Sequence, residues 1–183
     1  MSDTHTPFDL SNLQVLVVED NKYMQLLLQN VLRMFKIRRI MTADDGVQAL
    51  DVMRTFQPDI IFCDWNMEGV DGIELTRKVR NGTESANPYV PIVMLTGRTE
   101  ARHIFKARDA GVTEYLAKPI SAEMVYERIC RAIERPRHFI KTKSFFGPDR
   151  RRTKATPKTN QGRRAEDKDQ PPEEVTNPAE ETS

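Results

Sequence analysis

The sequence predicts an α/β domain built on a doubly wound, five-stranded parallel sheet with helices on both faces. Three observations predict it. Short apolar runs of strand length alternate five times with longer runs whose apolar residues recur every three or four positions. Acidic, hydroxyl and ammonium side chains stand where four of those strands end, the edge at which such sheets carry their crevice. The alternation then stops near Pro136, so the sheet is complete before the chain is.

The elements follow in order. Gln14 to Glu19 reads as a strand buried on both faces, and Tyr23 to Phe35 as a helix with Met24, Leu27, Leu28, Val31, Leu32 and Phe35 inward. Arg38 to Ala43 is a weaker strand. Val47, Leu50, Val52, Met53 and Phe56 mark a second helix, which Pro58 stops. Asp59 to Asp64 is the third strand, and Ile73 to Val79 a helix with Ile73, Leu75, Thr76 and Val79 facing in. A polar loop runs through Pro88, and Pro91 opens a fourth strand over Ile92 to Thr96, a position where proline is tolerated. A helix over 100 to 110 ends at Gly111. Glu114 to Ala117 forms a short fifth strand before Lys118-Pro119, and a last helix runs from Ser121, its N-cap, to Glu134. The Met24, Met34 and Met53 side chains fit core positions on these helices.

Composition bounds the function. Of 183 residues, 38% are hydrophobic and 30% charged, a balance that leaves some stretch without a core. The net charge of +1 hides segregation: residues 137–164 carry ten Lys/Arg against one acid, residues 165–183 one Lys against seven acids, and residues 1–136 a net −2. Apolar runs reach only four residues, against roughly 20 for a membrane span, so no membrane insertion is expected. The first residues lack a basic-then-apolar leader, and Cys63 and Cys130 sit apart in apolar stretches, as buried hydrophobes of a reducing, cytoplasmic protein. From residue 136 onwards only eight of 48 residues are apolar, too few for a second core, so no folded output domain is expected there. The expected organisation is a flexible stretch over 1–11, one domain over 12–135, and a basic-then-acidic extension over 136–183, largely disordered.

The strand ends carry the chemistry. Strand one ends in Glu19-Asp20, strand three in Asp64, strand four in Thr96 and strand five in Lys118. Three carboxylates converging on one crevice repel, and a hard divalent cation with oxygen ligands, such as Mg²⁺, relieves them. Asp64, held at the end of a buried strand, is placed to act as a nucleophile towards phosphorus. Lys118 and the Thr96 hydroxyl would then cradle the added anion.

These stretches resemble the receiver domain of two-component response regulators. The resemblance rests on Val15-Leu16-Val17-Val18-Glu19-Asp20-Asn21, Cys63-Asp64-Trp65-Asn66-Met67, Asp71-Gly72, Met94-Leu95-Thr96-Gly97 and Lys118-Pro119, in that order. It covers about residues 12–135 and none of the extension. It implies a flavodoxin-like strand order 2-1-3-4-5. It further implies that Asp64 accepts a phosphoryl group from a sensor histidine kinase or phosphotransfer protein. Mg²⁺ would be held by Asp20, Asp64 and the backbone carbonyl of Asn66, with Glu19 acting through water. Lys118 and Thr96 would bind phosphoryl oxygens, and Tyr115 would rotate when Thr96 moves, coupling the site to helix four, strand five and helix five. That surface would meet a downstream protein target, and a phosphorylation-dependent dimer is one form such a contact takes. The Lys118-Pro119 bond is cis in the family. Two departures modulate the site: Glu68 replaces a common proline, and Arg98, two residues after Thr96, stands where water access is set.

Blander readings stand beside these. Tyr115 also reads as a half-buried core aromatic, and Trp65 as either a partner contact or an exposed loop aromatic. His103, with Arg102 and Lys106, decorates a solvated helix face; His5 and His138 carry no case. The aromatic and basic stretch from Phe139 to Arg152 reads as a solubilising extension whose Phe residues dock back on the body, or as an adaptor segment ordered on binding. Nucleic-acid binding or scaffolding through the basic run is the rival function, disfavoured because the acidic block competes for the same arginines. A phosphohydrolase with an aspartyl-phosphate intermediate needs a general acid at position 66, which is Asn. The chain is therefore expected to be a single-domain switch and not an enzyme, limited to slow self-dephosphorylation.

Overall fold

A computed structural model describes residues 9–81, 87–97, 101–134, 137–142, 145–149 and 173–175, the backbone course alone being described for 101–104 and 173–175. Five strands form one parallel sheet: β1 (Gln14–Val18), β2 (Arg39–Ala43), β3 (Ile60–Asp64), β4 (Ile92–Thr96) and β5 (Glu114–Ala117). Their order is β2-β1-β3-β4-β5, as the resemblance implies. Helices α1 (Lys22–Met34), α2 (Gly46–Met53), α3 (Gly72–Arg80), α4 (Ala101–Ala110) and α5 (Ala122–Glu134) connect them.

Alternation along β1 sorts the core into two layers, because successive side chains point to opposite faces. Val15 and Val17 join Phe62, Val93, Leu95 and Leu116 beneath α1 and α5, against Leu28, Leu32, Val125 and Ile129. Leu16 and Val18 join Ile61, Cys63 and Ile92 beneath α2 and α3, against Leu50, Met53, Leu75 and Val79. The starts of α1, α2, α3 and α5 are each fixed by a side-chain oxygen that accepts from a free amide. Asn21 Oδ1 accepts from Tyr23 and Met24, Asp45 from Gln48, Asp71 from Glu74, and Ser121 Oγ from Met124.

Some positions depart from expectation. Met34 is exposed, since it lies about 200° around α1 from the buried Leu32. Val47, in the first turn of α2, is exposed because the inner stripe there is Gly46, Ala49, Leu50 and Met53. Conversely Gln25 is buried: its amide donates to the carbonyls of Glu19 (3.1 Å) and Ala43 (3.2 Å) and to Asp44 Oδ1 (3.1 Å), tying α1 to the ends of β1 and β2. Cys63 is buried as read, but Cys130 is only half-buried. At the N-terminus, Leu10 is buried in the α1/α5 layer, so the ordered body begins before residue 12; residues 1–8 lie outside the described residues.

The extension was read as largely disordered, with its Phe residues docking back on the body. Its described part forms β6 (Phe139–Lys141), β7 (Phe146–Pro148) and β8 (Glu173–Val175), an antiparallel sheet of order β7-β6-β8. The physical reason is that eight apolar residues cannot make a core of their own but are enough to complete an existing one. Phe139 and Phe145 are buried, and Phe139 and Phe146 stack with Tyr89 of the body at 5.0 and 5.3 Å between ring centroids. Within the extension, residues 136, 143–144, 150–172 and 176–183 lie outside the described residues.

Candidate functional site

Register converts strand ends into a pocket. In the parallel pairings Val18 lies beside Cys63, Asp64 beside Leu95, and Thr96 beside Ala117, so Glu19, Asp64, Thr96 and Lys118 all reach the same edge of the sheet. The Lys118 amide donates to the Thr96 carbonyl at 2.9 Å, which fixes the turn where the lysine leaves β5. The Lys118-Pro119 peptide is cis.

Inside the pocket, Lys118 Nζ lies 2.8 Å from Glu19 Oε2 and 2.9 Å from Asp64 Oδ1. Oxygens of Glu19, Asp20 and Asp64 come within 4.8 Å of one another. Glu19 and Asp64 are buried and Asp20 is exposed, so the cluster has one open side. Burial pushes the Glu19 carboxyl above its usual pKa, and the charge on Asp64 adds to that, while the hydrogen bond from Lys118 opposes both. Burial pulls the Lys118 ammonium down, but the bonds to Glu19 and Asp64 outweigh it and its pKa ends above the usual value. The lysine is thus a fixed cation between two carboxylates. Its removal leaves a buried carboxylate without a partner. Lys118→Ala is therefore expected to cost about 2 kcal/mol, read as a lower urea midpoint at unchanged slope.

The remaining predicted residues fall around this centre. Thr96 is buried at the end of β4. Asn66 is exposed in the turn after β3, and Glu68, two residues on, is also exposed. Tyr115 lies half-buried on β5 against Ile73, Met94 and Val112; burial pushes its phenol well above the usual pKa, and its carbonyl accepts from Arg128 Nε at 2.7 Å. Arg98 lies outside the described residues. Trp65 is neither a partner contact nor an exposed loop aromatic. It is buried with Ile73, Met94 and Ala107, because its amide still bonds to Leu95 O (3.0 Å) and its carbonyl accepts from Gly72 (3.2 Å), extending β3 past Asp64. Lys106 is exposed on α4, as expected of a solvated face, and the His103 side chain lies outside what is described.

Sequence reasoning missed one support. Gln25 holds the Glu19 carbonyl, and the only signal was a polar residue one turn before Leu28 on the inner stripe of α1. Beside it Lys22 pairs with Asp44, so a second cation flanks the exposed side of the acidic turn.

The donor set suits a hard cation: three carboxylates, all oxygen, with an open side for retained water. No described helix is long and apolar enough to cross a membrane.

Comparison with known proteins gives the same answer. The family model for the response regulator receiver domain matches residues 15–130. The chemotaxis protein CheY-3 of Vibrio cholerae is 32% identical over 124 residues, 68% of this chain and 94% of that protein. The chemotaxis protein CheY of Pseudomonas aeruginosa is 33% identical over 123 residues, covering 67% and 98%. Among solved structures, the chemotaxis protein CheY4 of Vibrio cholerae superposes with a TM-score of 0.61 at 27% identity, covering 66% of this chain and 98% of that one. A receiver domain of a sensor histidine kinase from Pseudomonas aeruginosa, solved with magnesium coordinated in its active-site cleft, gives 0.58 at 30% identity, covering 65% and 94%. Match, topology and pocket chemistry agree, and the chain belongs to the family of response regulator receiver domains.

Proposed function

We propose that this chain is a phosphorylation-controlled switch that accepts a phosphoryl group on Asp64 and signals by protein–protein contact. The observation that carries it is the Lys118 ammonium held within 3 Å of both Glu19 and Asp64, with Asp20 on the open side. A carboxylate oxygen of Asp64 attacks the phosphorus of a phosphohistidine on a kinase or phosphotransfer protein. The P–N bond breaks, the imidazole leaves, and an acyl phosphate remains. Asp64 sits at the end of a fully buried strand, so its attack geometry is fixed beforehand. Lys118 is released from Asp64 as that carboxylate becomes an ester-like oxygen, and turns to the new phosphoryl oxygens. The Thr96 hydroxyl, one strand away, supplies a hydrogen bond to the same group. Asp20, Asp64 and the Asn66 carbonyl would hold Mg²⁺, with Glu19 through water; when bound, the ion neutralises phosphoryl charge. Movement at Thr96 and Lys118 passes along β4 and β5 to Tyr115 and the flanking helices α4 and α5, the surface offered to a downstream protein.

Such a site stores a phosphoryl group and does not turn over a substrate; Asn66 supplies no proton to a leaving group, and self-hydrolysis is its only turnover. Its donor and the downstream target would meet it in the cytoplasm. Incubation with acetyl phosphate and Mg²⁺ is expected to add one phosphoryl group, about 80 Da, to the intact mass. The gain should vanish with EDTA, and peptide mapping should place it on Asp64. A gain mapped to another residue, or no gain from acetyl phosphate and from a phosphorylated phosphotransfer domain alike, overturns the reading.

A further inference from the structure

A buried arginine marks an unexpected joint. Arg80, the last residue of α3, is 3% exposed, and its partners among the described residues are neutral oxygens. Its Nε donates to Gly111 O (2.9 Å), Nη1 to Pro88 O (2.6 Å) and Val90 O (2.8 Å), and Nη2 to Thr113 Oγ1 (3.4 Å). One guanidinium therefore staples the end of α3 to the entry of β4 and to the α4–β5 turn. Thr113 Oγ1 also accepts from Ile92 N at 3.1 Å, tying β4 to β5 at the same point.

The extension closes over this staple. The Phe139 ring lies 5.2 Å from the guanidinium carbon, giving the desolvated cation an aromatic face. Tyr89, Phe139 and Phe146 form a mutual cluster with centroids 5.0 to 5.5 Å apart. The backbones of Gly147 and Gly111 touch: a Cβ on Gly147 would lie 3.1 Å from Gly111 Cα, and one on Gly111, at φ +99°, would lie 2.9 Å from the Arg80 chain. Arg137 Nη2 pairs with Glu114 Oε1 at 3.1 Å, next to Tyr115 on β5. Backbone bonds from Thr142 to Phe145 O (2.8 Å) and from Asp149 to His138 O (2.7 Å) close the hairpin.

This seat is made of the end of α3, the entry to β4, the turn between α4 and β5, and the start of β5. Two of those strands carry Thr96 and Lys118 at their other ends. The contacts are ring against ring, ring against guanidinium, glycine against glycine and one ion pair, and they leave little slack; interfaces packed so tightly respond to sub-ångström shifts by letting go rather than by stretching.

We propose that residues 137–142 and 145–149 form a clasp seated where α3, the entry to β4, the α4–β5 turn and β5 meet, and that phosphoryl acceptance at Asp64 unseats it. The inference rests on the proposed acceptor role of Asp64. Unseating exposes Phe139, Phe145 and Phe146 beside the basic run that follows, so the extension becomes the signal-bearing part of the chain. Linkage is reciprocal: a chain whose clasp is already loosened binds a phosphoryl mimic more tightly.

The test uses the full chain, unmodified and after acetyl phosphate and Mg²⁺, with intact mass recorded on the same samples. Amides of 137–149 are expected to exchange about tenfold faster in the phosphorylated chain. Beryllofluoride with Mg²⁺, followed by the fluorescence of Trp65, is expected to bind Phe139→Ala and Arg137→Ala about fivefold more tightly than the parent. Arg137→Ala removes only the ion pair to Glu114 and keeps the result readable if Phe139→Ala loses stability. A phosphorylated chain with unchanged exchange, or parental beryllofluoride affinity in Arg137→Ala, overturns the clasp while leaving the acceptor role intact. No mass gain from acetyl phosphate or from a phosphorylated phosphotransfer domain overturns the acceptor role, and the linkage with it.

Discussion

Asp64→Asn is expected to abolish the phosphoryl gain completely while leaving the fold no less stable than the parent. The substitution keeps shape and removes the anionic nucleophile, and an amide oxygen does not form the acyl phosphate. The stability argument is electrostatic. Glu19, Asp20 and Asp64 crowd within 4.8 Å, and Asp64 pushes the Glu19 carboxyl up. Taking away one charge relieves that repulsion and leaves Lys118 paired with Glu19 at 2.8 Å. The lost attraction between Lys118 and Asp64 is offset by the avoided burial of a second carboxylate, so a gain of about 1 kcal/mol, or roughly 4 °C in Tm, is expected in EDTA. A lower Tm would mean that the lysine is held chiefly by Asp64. An undiminished mass gain would mean that a different carboxylate, with Asp20 the nearest exposed one, takes the phosphoryl group.

This site was legible because its chemistry lies at the ends of apolar runs. A buried strand announces itself as Ile60 to Cys63, and the residue that breaks the run, Asp64, must sit at the sheet edge. Parallel register then brings one strand's end beside the next, so Glu19, Asp64, Thr96 and Lys118 could be gathered before any coordinates. What was not legible is which neighbour each group chooses. The direct hold of Glu19 on Lys118, a pairing across 99 positions of sequence, was not foreseen. Gln25 and Arg80 look like surface residues of amphipathic helices. Their burial depends on carbonyls left open at distant strand ends, which a helical period does not reveal. Trp65 follows a charged residue and so resembles a loop, yet the backbone keeps pairing beyond Asp64 and carries the indole inward. The strands within the extension were not legible for a related reason. Its composition forbids an independent core, and only the exposed edge of the body, with Tyr89 and Arg80 waiting, makes Phe139 and Phe146 enough.

The second large effect should come from a residue with no side chain. A Cβ built on Gly72 would lie 2.3 Å from the Asp64 carbonyl oxygen, 3.0 Å from Met94 Sδ and 3.1 Å from Cys63 Sγ. Gly72 does not need glycine for its backbone angles, since only Gly69 and Gly111 have positive φ among the described glycines. The demand is for space alone. Asp71 caps α3, and Gly72 N donates to Trp65 O, so the start of α3 is drawn against the end of β3 and has nowhere to retreat. The atom that would be struck belongs to the backbone of the acceptor residue, which shifts only if Asp64 shifts with it. Gly72→Ala is therefore expected to cost about 1–3 kcal/mol from overpacking. A displacement of about 1 Å at the nucleophile should also slow phosphoryl acceptance about 100-fold. Thermal melts and the time course of mass gain with acetyl phosphate measure the two effects separately. A loss of stability with parental kinetics would show α3 yielding instead of β3, and parental values of both would mean that the approach of helix to strand is looser than 2.3 Å implies.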